Sequence, residues 1–380
     1  MKIILWHNIM WSRYKAAVFS ALHTLCVDRQ IQLQVYQIAE TANQRTGLSP
    51  IDMTWHKYPH ELLFKGSYEN IPRLALFWRV AKEAWAHDAD VTILAGYDRP
   101  EYWIQAIILV LRGKAFACFC DSTLYDNPQK VLTGLLKTVF FRWCSGIFCY
   151  GRRAAEYVQL YGATPNKIIH RCQAAALYDG YTPESALERR LATYEPSRPA
   201  RFLYVGRFSH EKSIDHLILG FDRLRKTLPD SHLILVGGGP EETRLKTLCA
   251  RLSIQENVTF AGAKYGDDLF SEYLRATALI LPSYSEPWGL VVNEALSHGC
   301  PIVVSDRCGC VPELVVEGKT GFSFPWGEIE ELEEKMRLIA ESEEAETISR
   351  MCLRQIAHFT PESAARSILD GSILLAGSRN

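Results

Sequence analysis

Four charged residues in the second half of the chain have the types and spacing to hold a phosphorylated sugar. Arg207 and Lys212 lie in GRFSHEK (206–212), directly after the apolar run RFLYV, with Gly206 allowing a tight exit from a strand. Two cations there suit a diphosphate, because a guanidinium forks onto oxygens and an ammonium acts as a point charge. Read alone, they serve equally well as surface cations. Glu286 and Glu294 lie in SEPWGLVVNEAL (285–296), in an otherwise apolar run where unpaired carboxylates are costly. Pro287 and Gly289 mark a turn, and a helix is predicted from Gly289 or Leu290. Its first turn presents amide N–H groups to an anion. A carboxylate can accept two hydrogen bonds from a vicinal diol, so one glutamate suits a sugar ring and the other a ribose. The plain alternative for Glu294 is a satisfied carboxylate near a helix start.

Other stretches offer less. LVGGGPEETRL (235–245) is a glycine-rich strand-to-helix loop that includes Gly238, but Glu242 stands where a dinucleotide fingerprint needs its third glycine. The glycines can still let another backbone, or a nucleotide, approach closely. In the first half, CFCDSTLYD (118–126) follows a strand and offers Asp121 and Ser122, while WHNIMWSRYK (6–15) offers His7, Asn8, Ser12 and Arg13. These could meet an acceptor hydroxyl, although a single histidine near a strand end usually serves the fold. Asp88 and Asp90 precede a strand and read as a turn, not as metal ligands. No metal is expected.

The elements that must position these residues are short apolar runs alternating with helical patterns along 380 residues. Strands are predicted at KIILWH, IQLQVYQI, VTILAGY, KAFACFCDS and GIFCYG, and then at RFLYVGRF, HLILVGGG, VTFAG, 278–283, PIVVSD and GFSFP. Continuous apolar strands separated by helices indicate parallel sheets buried on both faces, hence two doubly wound α/β domains. The polar segment 182–200 is the predicted boundary, giving domains at 1–190 and 200–358. A helix starting near Pro361 occupies 359–380. Ligands of such sheets bind beyond the carboxyl ends of the strands, where the motifs above fall.

A formal net charge of -1 argues against nucleic acid as a partner, but residues 1–199 carry about +6 and 200–380 about -7. A basic first half could meet an anionic surface. Segment 131–150 is too interrupted by Lys137 and Arg142 to span a membrane, but with Lys130 it could lie on one as an interfacial helix; the simpler reading is a helix on the domain core. The eleven cysteines include no C-x-x-C pair, and several fall in apolar patterns. The N-terminal run reads as a first strand rather than a secretion signal. A cytoplasmic protein is expected.

The pieces VGRFSHEKSIDHLILGF, LILVGGGPEETRLKTL, VTFAG, LPSYSEPWGLVVNEALSHGCPIVVSD and CVPELVVEGKTGF, in this order across about 201–325, resemble the retaining family 4 glycosyltransferases. That resemblance implies a GT-B fold, two Rossmann-like domains facing across a cleft, and a nucleotide-diphosphate sugar as donor. It implies that Arg207 and Lys212 clamp the diphosphate, that Gly289, Leu290 and Val291 offer backbone N–H groups, and that Glu286 holds the donor sugar and Glu294 the ribose. The loop after VTFAG would border the base, and the last helix would return to the first domain. The acceptor would be a sugar, a lipid-linked or a small molecule, in surface polysaccharide or glycolipid synthesis. Relatives carry a Gly-Gly loop after the first strand and a histidine after the strand that here ends in CFCDS; this chain has HNIMWSRYK, and Asp121 or Ser122. A nucleotide-sugar isomerase or hydrolase of the same fold, or a non-catalytic subunit, are the alternatives.

Overall fold

The computed structural model describes residues 1–43, 51–126, 131–178, 180–196 and 198–377. The chain divides into two compact units: Met1–Ala176 with Thr360–Asn380, and Leu177–Phe359.

The first unit is built on β1 (Lys2–Ile9), β2 (Gln32–Thr41), β3 (His60–Ser67), β4 (Val91–Leu94), β5 (Phe116–Cys120), β6 (Gly146–Tyr150) and β7 (Ile168–Arg171). They pair in parallel in the order β3-β2-β1-β4-β5-β6-β7. Its helices are α1 (Arg13–Asp28), α2 (Arg73–Ala86), α3 (Pro100–Leu111), α4 (Val131–Trp143), α5 (Gly151–Leu160) and, from the chain end, α14 (Pro361–Gly377). The second unit holds β8 (Arg201–Val205), β9 (His232–Val236), β10 (Val258–Gly262), β11 (Ala278–Leu281), β12 (Ile302–Ser305) and β13 (Gly321–Phe324). Their parallel order is β10-β9-β8-β11-β12-β13. Its helices are α6 (Pro183–Thr193), α7 (Ile214–Leu224), α8 (Glu242–Arg251), α9 (Gly266–Arg275), α10 (Leu290–Ser297), α11 (Val311–Leu314), α12 (Ile329–Ala340) and α13 (Ala345–Ile356).

Central strands such as β4, β5, β11 and β12 are buried along their whole length, as strands covered by helices on both faces must be. Two strands escaped the periodicity. HELLFKGS, which is β3, is a half-buried edge strand with His60, Glu61 and Lys65 breaking its apolar run, and β7 has only four residues. In each sheet the strand order reverses beside the first strand, between β1 and β4 and between β8 and β11. Such reversals open a crevice at the carboxyl edge. All eleven cysteines are free thiols, and ten of them are buried.

The chain passes between the units at Ala176–Leu177, ahead of the 182–200 segment. The reason is α6, which the polar composition of that segment disguises. Thr182 and Ser185 form a capping box at its start, and α6 packs on α9 and α13. Its Arg190, 1% exposed, donates to the carbonyls of Tyr273 (3.1 Å) and Leu274 (2.8 Å) and lies over the Tyr194 ring. Residues 177–199 are therefore the first layer of the second unit. In the first unit α14 runs along α1, where Arg29 meets Asp370 at 3.3 Å, and Leu375 fills the space beside Gly146.

Arg190→Met removes the side-chain donor to Leu274 O and one of two donors to Tyr273 O, which keeps its bond from Ala276 N at 3.3 Å. A loss of about 1–4 kcal/mol in the urea unfolding of the second unit is expected; an unchanged midpoint would show that α6 is not integral to it.

Candidate functional site

The loops leaving β8 and β11 flank the reversal in the second sheet. The β8 loop begins at Gly206, whose N–H donates to Val236 O at 3.0 Å. It lies against the glycine loop after β9: a Cβ on Gly237 would fall 1.9 Å from Gly206 O, so only glycine lets the two backbones meet. Phe208 N then donates to Gly238 O at 2.8 Å. The glycine loop thus braces the cation-bearing loop. A Cβ on Gly238 would find its nearest neighbour, Glu242 Oε2, only at 3.7 Å, so that side has room.

Each predicted cation sits on a carboxylate. Arg207 Nη2 donates to Glu211 Oε1 at 2.7 Å, and Ser209 Oγ donates to the same oxygen at 2.7 Å. Burial alone would raise the Glu211 carboxyl, but the bonds from Ser209, the backbone and Arg207 win and hold it at about 2. Glu211 stands inside GRFSHEK and was not singled out; its spacing of four from Arg207 was the available signal. Lys212 Nζ lies 2.7 Å from Glu286 Oε2, with side chains 16% and 15% exposed. The backbone joins the two loops as well, since Tyr284 N donates to Glu211 O at 2.9 Å. Arg207, Lys212 and Glu286 are therefore one assembly.

Gly289, with φ +97°, is the N-cap of α10; a Cβ there would stand 2.8 Å from Leu281 Cδ2. The turn before it is strapped to the loop after β12: Gly309 N donates to Glu286 O (2.8 Å) and Cys310 N to Trp288 O (3.1 Å). Trp288 Nε1 donates to Asn293 Oδ1 at 2.7 Å. The amides of Leu290 and Val291 open α10 and have no carbonyl four residues back within the helix, so the positive end of the helix stands next to the Lys212–Glu286 pair in sequence and in space. One turn on, Glu294 Oε2 accepts from Tyr273 OH at 2.7 Å. Burial raises the Glu294 carboxyl and the Tyr273 bond opposes it. His298 Nδ1 lies 2.7 Å from Glu294 O and stacks on Tyr273 and Phe270; burial lowers it to about 4, so it is neutral at pH 7. At the same sheet edge Arg307 lies over the rings of Tyr284 and Trp326, 4.6 Å from each, and Trp326 Nε1 donates to Ser213 Oγ. Tyr273, Arg307 and Trp326 went unnoticed because no local motif marks them.

In the first unit the predicted residues divide. His7 is buried against Phe19 with Nδ1 3.0 Å from Gln37 Oε1, and Gln37 reaches Tyr58. Burial, then the charge of Lys15, lowers it to about 3. His7 is thus a neutral imidazole whose Nδ1 is engaged by Gln37. Asn8 accepts from Tyr102 OH, and Ser122 Oγ lies 2.7 Å from Tyr97 OH. Ser12 is the buried N-cap residue of α1, and its carbonyl accepts from Lys15 and Ala16. Arg13 faces solvent near Asp52 at 3.8 Å. Asp121 keeps an exposed face at the end of β5; burial of the rest raises its carboxyl and Lys15 lowers it. Beside it the structure gathers Lys15, Tyr150 and Arg171, which the sequence did not single out. Asp88 pairs with Lys114, and Asp90 accepts from the Lys2 amide, both as turn residues. Among the described residues no cluster of three or more His, Cys, Asp or Glu could hold a metal ion.

Comparison with known proteins bears on the fold. Both units are matched end to end by solved structures. Anabaena Alr3699/HepE in complex with UDP has a TM-score of 0.72 at 18% identity, covering 97% of this chain and 99% of that one. Sucrose-phosphate synthase from Thermosynechococcus elongatus has a TM-score of 0.73 at 18% identity, covering 100% of each. The fold is GT-B. Residues 188–352 match the family described as glycosyl transferases group 1. Among curated relatives, sulfoquinovosyl transferase SQD2 of Arabidopsis thaliana is 34% identical over 44% of this chain and 31% of its own. An uncharacterized glycosyltransferase of Methanocaldococcus jannaschii is 35% identical over 54% of this chain and 55% of its own. The chain thus spans about a third to about half the length of these curated relatives.

A carboxyl whose folded value is raised costs stability as pH climbs above its unfolded value of about 4.3. Glu294→Gln keeps an acceptor for Tyr273 and removes that cost. The variant is expected to gain stability relative to the parent as pH rises from about 4 to 7, and the comparison cancels the opposite-signed contribution of His298. A stability difference flat across that range, measured by urea unfolding, would show that Glu294 is not strained by its burial.

Proposed function

We propose that the chain is a glycosyltransferase that takes a sugar from a nucleotide-diphosphate donor held by the second unit. The observation that carries this is the joining of Lys212 to Glu286 beside the start of α10, at the carboxyl edge where the strand order reverses. Arg207, Lys212 and the amides of Gly289, Leu290 and Val291 would hold the diphosphate, Glu286 the hydroxyls of the donor sugar, and Glu294, through Oε1, the ribose diol. The glycine loop around Gly238 and the exit of β10 would flank the nucleoside. An acceptor hydroxyl attacks the anomeric carbon, the bond to the diphosphate breaks, and the hydroxyl proton leaves with the nucleoside diphosphate. The cations and the helix start stabilise the charge that develops on the leaving oxygen. These groups make a metal unnecessary. Retention of configuration, and membership of family 4, rest on the resemblance of the motifs. The relatives named sulfoquinovosyl transferase and glycosyltransferase support the class of reaction.

A peripheral contact of the first unit with a membrane is supported by α4. Its Leu135, Leu136, Val139 and Trp143 are exposed, next to exposed Ile107, Val110 and Leu111 on α3. Lys137 does not face outward as expected of a lipid-binding cation: Nζ donates to Tyr157 OH at 2.6 Å and lies near the Tyr161 ring. Arg142 remains exposed, and Lys130 lies outside the described residues. No helix among the described residues is long and apolar enough to cross a membrane. An apolar face of this kind can still lie in an interface.

Two measurements follow. In a calorimetric screen of nucleotide sugars, one donor is expected to bind, and Lys212→Ala to weaken it about tenfold to a hundredfold, the loss of a charge-assisted hydrogen bond. Transfer with that donor should persist in EDTA and give a product of retained configuration. Affinity unchanged in Lys212→Ala, or sugar released to water with every acceptor tried, would sink the assignment. On phosphatidylglycerol vesicles the protein is expected to float, and Leu135→Ser with Leu136→Ser to reduce the floated fraction several-fold; a parent protein that stays at the bottom of the gradient rules the contact out.

A further inference from the structure

The first unit holds two buried cations that share one phenol. Lys15 stands in the first turn of α1 and is 8% exposed; Arg171 ends β7 and is 3% exposed. Lys15 Nζ donates to Tyr150 OH and lies 4.2 Å from the centre of that ring. Arg171 Nη1 donates to the same hydroxyl at 3.1 Å, and its guanidinium lies 4.4 Å from the same centre. Phe119 closes one side, 5.7 Å from Lys15 Nζ and 5.1 Å from the Arg171 guanidinium. Among the described residues neither cation has a carboxylate within 4 Å. Asp121 acts on both only at longer range.

Buried charge is costly unless it is paired, and a fold with no use for these cations would gain by replacing them. Burial, and after it the charge of the neighbouring Arg171, lower the Lys15 ammonium well below its usual range. Arg171 Nη2 is buried and has no hydrogen-bond partner. The hydroxyl of Tyr150 accepts from both cations, so both of its lone pairs are used and its own proton must be donated onward. Three donors are then available together: Lys15 Nζ, Arg171 Nη2 and Tyr150 OH. They sit at the carboxyl edge of β6 and β7, beside the first turn of α1, whose dipole adds positive potential.

We propose that Lys15, Tyr150 and Arg171 form a binding site for a phosphate monoester group of the acceptor. Arg171 has Nη1 engaged on Tyr150 and Nε directed to Cys172 O at 3.4 Å, so it offers a ligand only Nη2, end-on, once the groups that cover this atom shift. That geometry does not suit a carboxylate, which prefers a parallel fork, and does suit a tetrahedral group that spreads three oxygens over three donors. The proposal deepens the transferase reading, and it depends on that reading only for calling the ligand an acceptor.

The test is thermal unfolding of the full chain with inorganic phosphate, which stabilises a protein that binds it. Arg171→Gln, Lys15→Met and the double variant Arg207→Ala/Lys212→Ala are compared, with UDP as a second ligand. Phosphate should stabilise the parent and the double variant. Its apparent affinity should fall about tenfold to a hundredfold in Arg171→Gln and in Lys15→Met. Asp121→Asn should bind phosphate more tightly, because a like charge is removed. UDP stabilisation should survive in Arg171→Gln and Lys15→Met, which also reports that they fold. Phosphate binding lost only in the double variant, unchanged in Arg171→Gln and Lys15→Met, or replaced by a response to glucuronate alone, overturns the proposal. Loss of the UDP response in the parent counts against the donor reading and leaves the phosphate site standing.

Discussion

Main chain meets main chain at the carboxyl edge of the second sheet, and the loops that carry Arg207, Lys212 and Glu286 are tied together by such contacts. Gly237 permits the first, since any side chain would strike Gly206 O. From there the bonds run on: Phe208 N to Gly238 O, Tyr284 N to Glu211 O, Gly309 N to Glu286 O. The loops leaving β8, β9, β11 and β12 are thus joined through main-chain groups. Side chains carried on such a network pay little conformational entropy to reach a ligand. Electrostatic stabilisation of a leaving group is strongest when the charges are fixed beforehand in this way.

The two units balance their charges differently. In the second, Arg207 rests on Glu211 and Lys212 on Glu286, so each cation already has a carboxylate partner. A diphosphate there must share cations with carboxylates, and the start of α10 supplies the positive potential that the carboxylates offset. In the first unit Lys15 and Arg171 share a neutral phenol instead. Asp121 offsets part of their charge from a distance, and an incoming anion would offset more.

Much of the architecture was legible because parallel sheets write themselves as continuous apolar runs. RFLYV, HLILV and PIVVSD announce strands with no knowledge of neighbours. The turn chemistry of EPWG announced the start of α10, and the edge rule then placed Arg207, Lys212, Glu286 and Asp121 on the ligand-binding side. Where local pattern is weak the reading failed. The half-buried β3 does not alternate cleanly, and α6 resembles a linker because its burial depends on Arg190 meeting carbonyls of Tyr273 and Leu274, 83 and 84 residues away. The partners of His7, Gln37 and Phe19, come from other elements and leave no mark in the local sequence.

The sequence by itself determined which residues leave the strands at the carboxyl edge, because strand, turn and helix start are set by neighbours a few positions apart. Its second half also carries motifs that resemble those of glycosyltransferases, and residues 188–352 match the group 1 family. The tertiary structure alone decided the pairings. Lys212 meets Glu286 across 74 residues, Tyr273 meets Glu294 across 21, and Lys15 meets Tyr150 across 135. Such distances close only when whole strands have found their order in a sheet. The field at a charged group is set by what those closures bring near it, so the same residue types became paired anchors in one unit and unpaired donors in the other.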